Sequence, residues 1–298
     1  MVDLFISVLM PVYNRQNSVK RSVKSILDQS YTKFELIIID DASTDQTSEI
    51  IKTINDDRII YVKLDKNVGA ACARNEGIKK ARSNWLAFHD SDDLWEPSKL
   101  EKQVQLIDES IPTIIFTSFI RHKRGNHEYI PSSRMIEKEG DMHRNLLLGN
   151  FIAAPTVLLH KECLLTSGCF NENMPRFQDW ELWIRLSRQY SIIWIDEPLV
   201  QVYYTENSIS SNESKLITAY DLLWKLHKSL FIDAGPKYAA RFLFSYGHNL
   251  ALYGDVKKSR KVLLNSLAIK LFSVNQLLCY SLTFLGQRIY RFFYTVIK

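Results

Sequence analysis

Three carboxylates arrive together where an apolar run ends: Trp85-Leu86-Ala87-Phe88-His89 is followed by Asp90-Ser91-Asp92-Asp93-Leu94-Trp95. Two carboxylates held close repel and raise each other's pKa unless a cation lies between them. Hard oxygen ligands of this kind suit Mg²⁺ or Mn²⁺, whose remaining positions go to water and to a substrate phosphate. Residues i and i+2 of a strand point to the same side, so Asp90 and Asp92 are expected to face one ligand together. The same residues also suit a turn and a helix cap, with Glu96-Pro97 as a helix start.

A second acidic constellation is Phe177-Gln178-Asp179-Trp180-Glu181-Leu182-Trp183-Ile184-Arg185-Leu186. Leu182, Trp183 and Leu186 are spaced for a helix face, and Asp179 falls in its first turn. A carboxylate there is either an N-cap worth about 1 kcal/mol or a general base held at the helix mouth. Trp180 and Trp183 are either core or a stacking wall for a sugar ring.

The elements that must position these groups alternate. Phe5 to Met10 reads as a strand stopped by Pro11, and Val19, Val23, Ile26 and Leu27 mark a helix. Leu36-Ile37-Ile38-Ile39 is a strand closed by Asp40-Asp41, with Ser43, Thr44 and Asp45 able to cap the helix through Ile50 and Ile51. Ile59 to Val62 is a third strand, Ala70 to Asn75 opens a small-residue helix, and Trp85 to Phe88 is a fourth strand. This spacing predicts an α/β fold with a largely parallel sheet covered on both faces. In such a sheet Tyr13-Asn14, Asp40-Asp41 and Asp90-Ser91-Asp92 share one edge, where ligands bind. Further strands are expected at Thr113–Thr117 and Pro155–Leu159, and helices over about Ser98–Asp108 and before Gly168. Arg121 to Glu139 is expected to be a loop or irregular hairpin, long enough to act as a flap. His89 is expected to point away from Asp90 into the core.

Composition bounds the class. With 298 residues, 46% hydrophobic and 24% charged, the chain is an ordinary globular protein and not a disordered one. Its four cysteines (Cys72, Cys163, Cys169, Cys279) show neither zinc spacing nor a disulfide framework, so free thiols in a reducing cytosol are expected. The amino terminus lacks a basic start and a small-residue cleavage site, so it reads as a strand and not a signal sequence.

Five blocks in one order resemble the family 2 inverting glycosyltransferases of the GT-A fold, over roughly Ile6 to Ser210. Ile6 to Asn14 is similar to the family's first strand and Pro-x-Tyr-Asn turn, and Ile39-Asp40-Asp41-Ala42-Ser43-Thr44-Asp45 to its Asp-Asp-x-Ser-x-Asp segment. Asn67-x-Gly69 through Ala73-Arg74-Asn75-x-Gly77 resembles the next block, and Asp90-Ser91-Asp92 the Asp-x-Asp metal motif. Gly168-Cys169-Phe170 with Gln178-Asp179-Trp180-Glu181-Leu182 resembles the acceptor-side block.

The resemblance implies a nucleotide-sugar donor, UDP favoured, contacting Pro11, Val12, Tyr13, Asn14, Asp41, Asn67, Gly69, Arg74, Asp90 and Ser91. It implies Mn²⁺ or Mg²⁺ on Asp92 with Asp90, Asp179 as the catalytic base, and Trp180, Glu181 and Trp183 on the acceptor side. The acceptor would be a glycan or lipid-linked hydroxyl in bacterial surface polysaccharide assembly; no nucleic-acid partner is expected. The chain departs from the family pattern at Gln178, where glutamate is common, and in having no histidine in Tyr203 to Ser208 to approach the metal.

The expected domains are 1–212, catalytic, and 213–298, a helical region. Beyond Leu252 the only acidic residue is Asp255, against eight lysines and arginines. Ile289, Phe292, Phe293 and Val296 follow an i, i+3, i+4, i+7 pattern with Arg288, Arg291 and Lys298 elsewhere around the helix. Such a helix either lies in a membrane interface, giving a cytoplasmic enzyme peripheral on the inner face of the membrane, or packs on the catalytic domain or a second subunit of a homodimer. Two other classes compete for the acidic stretch: a phosphatase of the haloacid dehalogenase type using Asp90 and Asp92, and a nucleotide-sugar-binding subunit with a lapsed site. Leu94 stands where the phosphatase motif has threonine or valine, and its motif comes near the start of the chain.

Overall fold

The computed structural model describes residues 4–123, 125–132, 136, 141–204, 213–270 and 274–297, with side chains as far as residue 294. They gather into two compact units: Met1–Lys138 with Phe151–Asn173 and Gln178–Glu206, and Glu139–Asn150 with Met174–Phe177 and Asn207–Lys298.

The first unit opens with strands β1 (Ile6–Val12), β2 (Phe34–Asp40), β3 (Ile59–Lys63) and β4 (Trp85–Phe88), separated by helices α1 (Val19–Leu27), α2 (Thr47–Lys52) and α3 (Ala70–Lys80). Then follow β5 (Leu94–Trp95), α4 (Lys99–Val104), β6 (Thr113–Lys123) and β7 (Asn126–Ile130). Helix α5 (Met142–Leu148) belongs to the second unit; β8 (Val157–His160), α6 (Lys161–Ser167), α7 (Gln178–Leu186) and β9 (Ser191–Tyr203) complete the first. The sheet runs β3-β2-β1-β4-β8-β6-β9-β5, with β7 on β6.

Strands β1 and β2 are buried at every position, which is why they read as unbroken apolar runs. The four strands up to β4 are mutually parallel, as a crossover helix between each pair requires. Beyond β4 the sheet is mixed: β8 runs antiparallel between β4 and β6, while β9 is parallel to β6. The early helices were legible for the same reason as the strands, since Val19, Val23 and Ile26 form the buried face of α1.

Pro11 does not stop β1 but lies inside it, opposite Ile39. Val12 O accepts from Asp41 N on the β2 side, and Leu9 O from His89 N on the β4 side. By alternation Pro11 faces the β4 side, where the β4 ladder has already ended at Leu9↔Phe88, so its missing N–H costs the sheet nothing. Gly77 keeps α3 tight on this half: a Cβ there would sit 3.4 Å from Leu9 Cδ2 and 3.5 Å from Ile39 Cγ1.

Of the loop or irregular hairpin expected from Arg121, the structure forms a hairpin: β6 and β7 pair antiparallel, with His122↔His127 and Arg121↔Glu128 as cross-strand pairs. Strand β6 pairs with β9 as far as Thr117↔Ile195, shifts register, and resumes at Ser118↔Pro198 and Phe119↔Val200. The bulge re-aims the outer half of both strands toward β5 and β7. Residues 124, 133–135 and 137–139 of the expected flap lie outside the described residues.

The second unit is helical: α5, not among the helices expected from the sequence, with α8 (Glu213–Asp233), α9 (Pro236–Tyr253), α10 (Val256–Ile269), α11 (Val274–Leu282) and α12 (Gln287–Ile297) in the region expected to be helical. Aromatic rings fill its centre, with Phe242 4.4 Å from Phe231 and 5.5 Å from Trp224 between centroids. Among the described residues no helix is long and apolar enough to cross a membrane.

Candidate active site

Strand β4 ends at Phe88, and Asp90 to Asp93 form a turn closed by Asp93 N donating to Asp90 O at 3.0 Å. This corrects the strand geometry expected of Asp90 and Asp92, which lie in a turn beyond the end of β4. Helix α1 holds the turn by its backbone. Ser18 Oγ donates to Ser91 O at 2.9 Å, Ser22 Oγ stands 3.2 and 3.0 Å from the carbonyls of Asp90 and Asp93, and Arg21 Nη2 donates to Asp92 O at 3.2 Å. The carboxylates are left to meet other cations. Arg74 pairs with Asp90 at 2.6 Å, and Arg15 Nε stands 3.6 Å from Asp92 Oδ2 with no hydrogen bond of its own.

Asp93 points inward. It is buried, and its Oδ1 accepts from Tyr203 N at 2.9 Å. Burial, then the charges of Asp90 and Asp92, hold its carboxyl well above the usual range. A carboxyl raised in the folded state stabilises the fold only while protonated. That stability is complete below the unfolded value and lost as pH rises through the folded one. Asp93→Asn keeps the acceptor for Tyr203 and removes the charge. In metal-free buffer its melting temperature is expected to exceed the wild type's by a margin that widens from about pH 4 upward. A margin that stays flat with pH would place the proton elsewhere.

His89 behaves as its strand position predicts: it is fully buried, 3.3 Å from Ser22 Oγ and edge-on to Trp95, and burial lowers its pKa to about 3.

The carboxyl ends of β1 and β2 carry the expected nucleotide-side residues. Pro11 and Val12 are buried strand residues, and Tyr13 is exposed. Asn14 bridges the two strand ends: its N–H donates to Ser43 Oγ at 3.0 Å, and its Oδ1 accepts from Thr44 N at 2.8 Å. Both oxygens of Asp41 are engaged by the turn before α3, accepting from Val68 N at 2.7 Å and Gly69 N at 2.8 Å, while Asn67 Nδ2 donates to Asp41 O at 3.2 Å. Asp40 faces the opposite way and is structural. Burial pushes its pKa up, but bonds from Ser43, Ser48 and Tyr61 outweigh it and hold the carboxyl below its usual value. Among the described residues the non-glycine positions with positive φ are Asn14 (51°), Ala42 (60°) and Phe177 (60°). They follow β1, follow β2 and precede α7, and strain of this kind collects at sites.

Arg74 joins the acid turn to α7. Besides Asp90, it reaches Gln178 Oε1 through Nη1 at 3.4 Å, and Gln178 immediately precedes Asp179. Asp179 lies in the first turn of α7, its Oδ1 2.7 Å from Trp180 N, and its charge reaches Arg121 on β6. Trp183 is fully buried, with Nε1 donating to Ile152 O at 2.9 Å, and Glu181 is buried in a pair with Arg185 at 3.0 Å. That sets both side chains in the core, which for Trp183 is the core alternative the sequence left open. Trp180 is nearly buried, at 5% exposure.

Arg185 holds α7 in place. It donates to Ser167 O, to Gly168 O at 2.6 Å and to Cys169 O at 2.8 Å, gathering the carbonyls after α6 where Gly168 takes φ +87°. Charge-assisted bonds to carbonyls are worth about 1.5–3 kcal/mol each in favourable cases. Arg185→Ala is expected to lose about 2–3 kcal/mol of unfolding free energy, measured by urea titration, with a fall in turnover because Asp179 rides on the same helix. Full stability in Arg185→Ala would show that the carbonyls find water instead.

Sequence reasoning missed Arg15, Arg21, Ser18, Ser22, Asp93, Tyr203 and Arg121. One signal was present: Ser18 and Ser22 are polar residues four apart on the apolar side of an amphipathic helix, where they need partners.

Among the described residues no three His, Cys, Asp or Glu side chains gather to hold a metal by protein alone. Asp90 and Asp92 carry hard oxygen donors of the kind that suits Mg²⁺ or Mn²⁺ completed by water and a phosphate.

The family described as Glycosyl transferase family 2 matches residues 7–166. TuaG of Bacillus subtilis, a glycosyltransferase whose name places it in teichuronic acid biosynthesis, is 34% identical over 214 residues, 70% of this chain and 83% of that protein. WfgD of Escherichia coli, named a UDP-Glc:α-D-GlcNAc-diphosphoundecaprenol β-1,3-glucosyltransferase, is 30% identical over 72% of this chain and 83% of its own. An uncharacterized glycosyltransferase of Rickettsia conorii is 38% identical over 67% of this chain, but the match spans only 33% of its length. Among solved structures, Staphylococcus aureus TarS 1–349 with UDP-GlcNAc superposes with a TM-score of 0.63 at 17% identity, covering 89% of this chain and 88% of that one. The mannosyltransferase PcManGT of Pyrobaculum calidifontis, solved with GDP-Man and Mn²⁺, gives 0.60 at 16% identity over 94% and 80%. The two structures share the GT-A-type fold, and the sequence matches carry the kinship: this chain is a glycosyltransferase and belongs to glycosyl transferase family 2.

Proposed function

We propose that the protein is an inverting, metal-dependent enzyme that moves a sugar from a nucleotide-sugar donor, UDP-linked by preference, to a hydroxyl of a glycan or lipid-linked acceptor in bacterial surface polysaccharide assembly. The observation that carries this reading is Arg74, which ties Asp90 of the acid turn to Gln178 beside Asp179. Donor leaving group and acceptor hydroxyl must lie on opposite sides of one anomeric carbon, and Arg74 spans the groups proposed for the two. The bound nucleotide sugars of TarS and PcManGT support the donor class, and the name of WfgD supports UDP and a lipid diphosphate acceptor.

In this reading residues 1–212 do the chemistry and 213–298 are an appendage. Tyr13, Asn14, Asp41 and the Asn67–Gly69 turn border the base and ribose. Arg15 and Arg74 hold the acid turn's charge until the donor arrives and then face its diphosphate. Asp92 and Asp90 would hold a Mg²⁺ or Mn²⁺ ion, which would supply charge neutralisation for a departing diphosphate. Asp179 takes the acceptor hydroxyl's proton as the oxygen attacks from the face opposite the diphosphate, which inverts the centre without a covalent sugar–enzyme intermediate. The enzyme works in the cytoplasm, peripheral on the membrane's inner face.

A thermal-shift screen against UDP-, GDP- and dTDP-sugars, with and without Mn²⁺, tests the reading. Donor at a hundred times its Kd stabilises the fold by about 2.7 kcal/mol, a shift of several degrees. The expected outcome is a metal-dependent rise for one UDP-sugar. A flat screen accompanied by phosphate release from a phosphomonoester would favour the phosphatase reading, and binding without transfer the lapsed subunit.

A further inference from the structure

Helix α12 does not bury its most apolar side. Tyr290 is 1% exposed and packs with Ala251, Leu252 and Leu282, its hydroxyl 2.6 Å from His248 Nδ1. Tyr294 joins that side, 4.7 Å from His248 between ring centroids. At about 100° per residue, the Ile289-Phe292-Phe293 stripe lies roughly 130° around the helix from Tyr290 and Tyr294. It is exposed: Ile289 at 41%, Phe292 at 65% and Phe293 at 40%. The preceding segment adds Val274 at 79%, Leu277 at 44%, Leu278 at 42%, Phe284 at 59% and Leu285 at 56%. A monomeric protein seldom leaves so many large apolar groups in water within one short stretch.

The charge on the segment beyond Leu252 is mostly positive, although Lys258 is paired with Asp221 of α8 at 2.8 Å. Arg288 flanks the α12 stripe on the side away from Tyr290, Arg291 turns inward to donate to Leu252 O at 2.6 Å, and Arg260 lies over the Phe284 ring at 4.6 Å. Lys257, Lys258, Lys261 and Lys270 lie on or just after α10, and the single acidic residue of the segment, Asp255, serves as its N-cap. We infer that α11, the Thr283–Leu285 turn and α12 form a docking surface for the face of an anionic lipid bilayer, with Phe284, Leu285, Ile289, Phe292 and Phe293 entering the headgroup–acyl boundary. Two observations favour lipid over a second copy of the chain. A two-fold interface would bring two copies of one basic segment together, and beyond Leu252 the only acidic residue to offset it is Asp255, the N-cap of α10. An anionic leaflet complements both the charge and the apolar groups. The inference does not depend on the reaction proposed above, and no donor or metal enters its test.

The test is flotation of the full chain with vesicles of phosphatidylcholine alone or mixed with phosphatidylglycerol. The expected result is binding to the mixed vesicles that weakens as salt rises. Phe284→Ser with Leu285→Ser and Phe292→Ser should abolish it, while Arg288→Glu weakens it about fivefold or more, at unchanged melting temperatures. The wild-type dependence on lipid charge and salt needs no variant to fold. No flotation with anionic vesicles, or equal flotation with neutral ones, would overturn the proposal. So would a concentration-dependent dimer that the triple substitution dissolves, which would give the face to a second copy.

Discussion

Asp179→Asn is expected to lower kcat by about 10³-fold, within the 10²–10⁴ that a positioned general base contributes. Donor affinity should stay within about twofold, because only an interaction made in the transition state is removed. The substitution is nearly isosteric, and an amide oxygen can take the place of Asp179 Oδ1 beside Trp180 N. Loss of a carboxylate from the first turn of α7 costs about 0.5 kcal/mol through the helix dipole, too little to unfold the helix that Arg185 anchors. The other carboxylate of that turn, Glu181, is buried and paired with Arg185, so it is poorly placed to substitute. Product formation from a saturating UDP-sugar, followed beside donor binding by calorimetry, separates the two effects. Loss of donor binding in proportion to turnover would remove Asp179 from the base role and place it on the donor. Unchanged turnover would move the proton to another acceptor.

What the sequence showed and what it hid divide along a physical line. Elements buried on a regular face wrote themselves into the chain: the apolar runs of β1 and β2 and the spacing of Val19, Val23 and Ile26. Elements with half-exposed faces did not, and β9, with its charged bulge at Asp196 and Glu197, carries no pattern that marks it as a strand. The site was legible in residue type and not in geometry. Asp90, Asp92, Arg74 and Asp179 were nominated from their motifs, but a motif does not say that Arg74 reaches both Asp90 and Gln178, residues 16 and 104 positions away. Nor does it separate Asp93, turned inward under Tyr203, from its two outward neighbours. Trp183 shows the same limit from the other side. A tryptophan beside a carboxylate suits a sugar-stacking wall and a core equally well, and only burial decides between them. In α12 the period is legible but the choice between packing and exposure is not: the tyrosines pack, though their hydroxyls make them count less on a hydropathy scale, and the Ile289-Phe292-Phe293 stripe stays exposed.

Asp92→Asn is expected to separate stability from function in opposite directions. With metal and donor present, kcat/KM should fall by about 10³-fold or more, since a bound divalent ion supplies several kcal/mol of charge stabilisation to a leaving diphosphate. One carboxylate would remain, and it is already committed: Asp90 holds Arg74 at 2.6 Å. Without metal the sign reverses. Asp92 is one of the charges that keep the buried Asp93 carboxyl above its usual range, so removing it relieves repulsion and should raise the melting temperature in chelator. Arg15, 3.6 Å from Asp92 Oδ2, loses its counter-ion in the variant, which works against that gain, but it stays near enough to solvent for the cost to be small. Chelator should reproduce the functional loss in the wild type and change the variant little, because the two treatments remove the same ion. A variant that loses activity and melting temperature together would make Asp92 a structural anchor of the turn. A variant that keeps its Mn²⁺ response would leave Asp90 as sufficient, and would imply that Arg74 releases it when the donor binds.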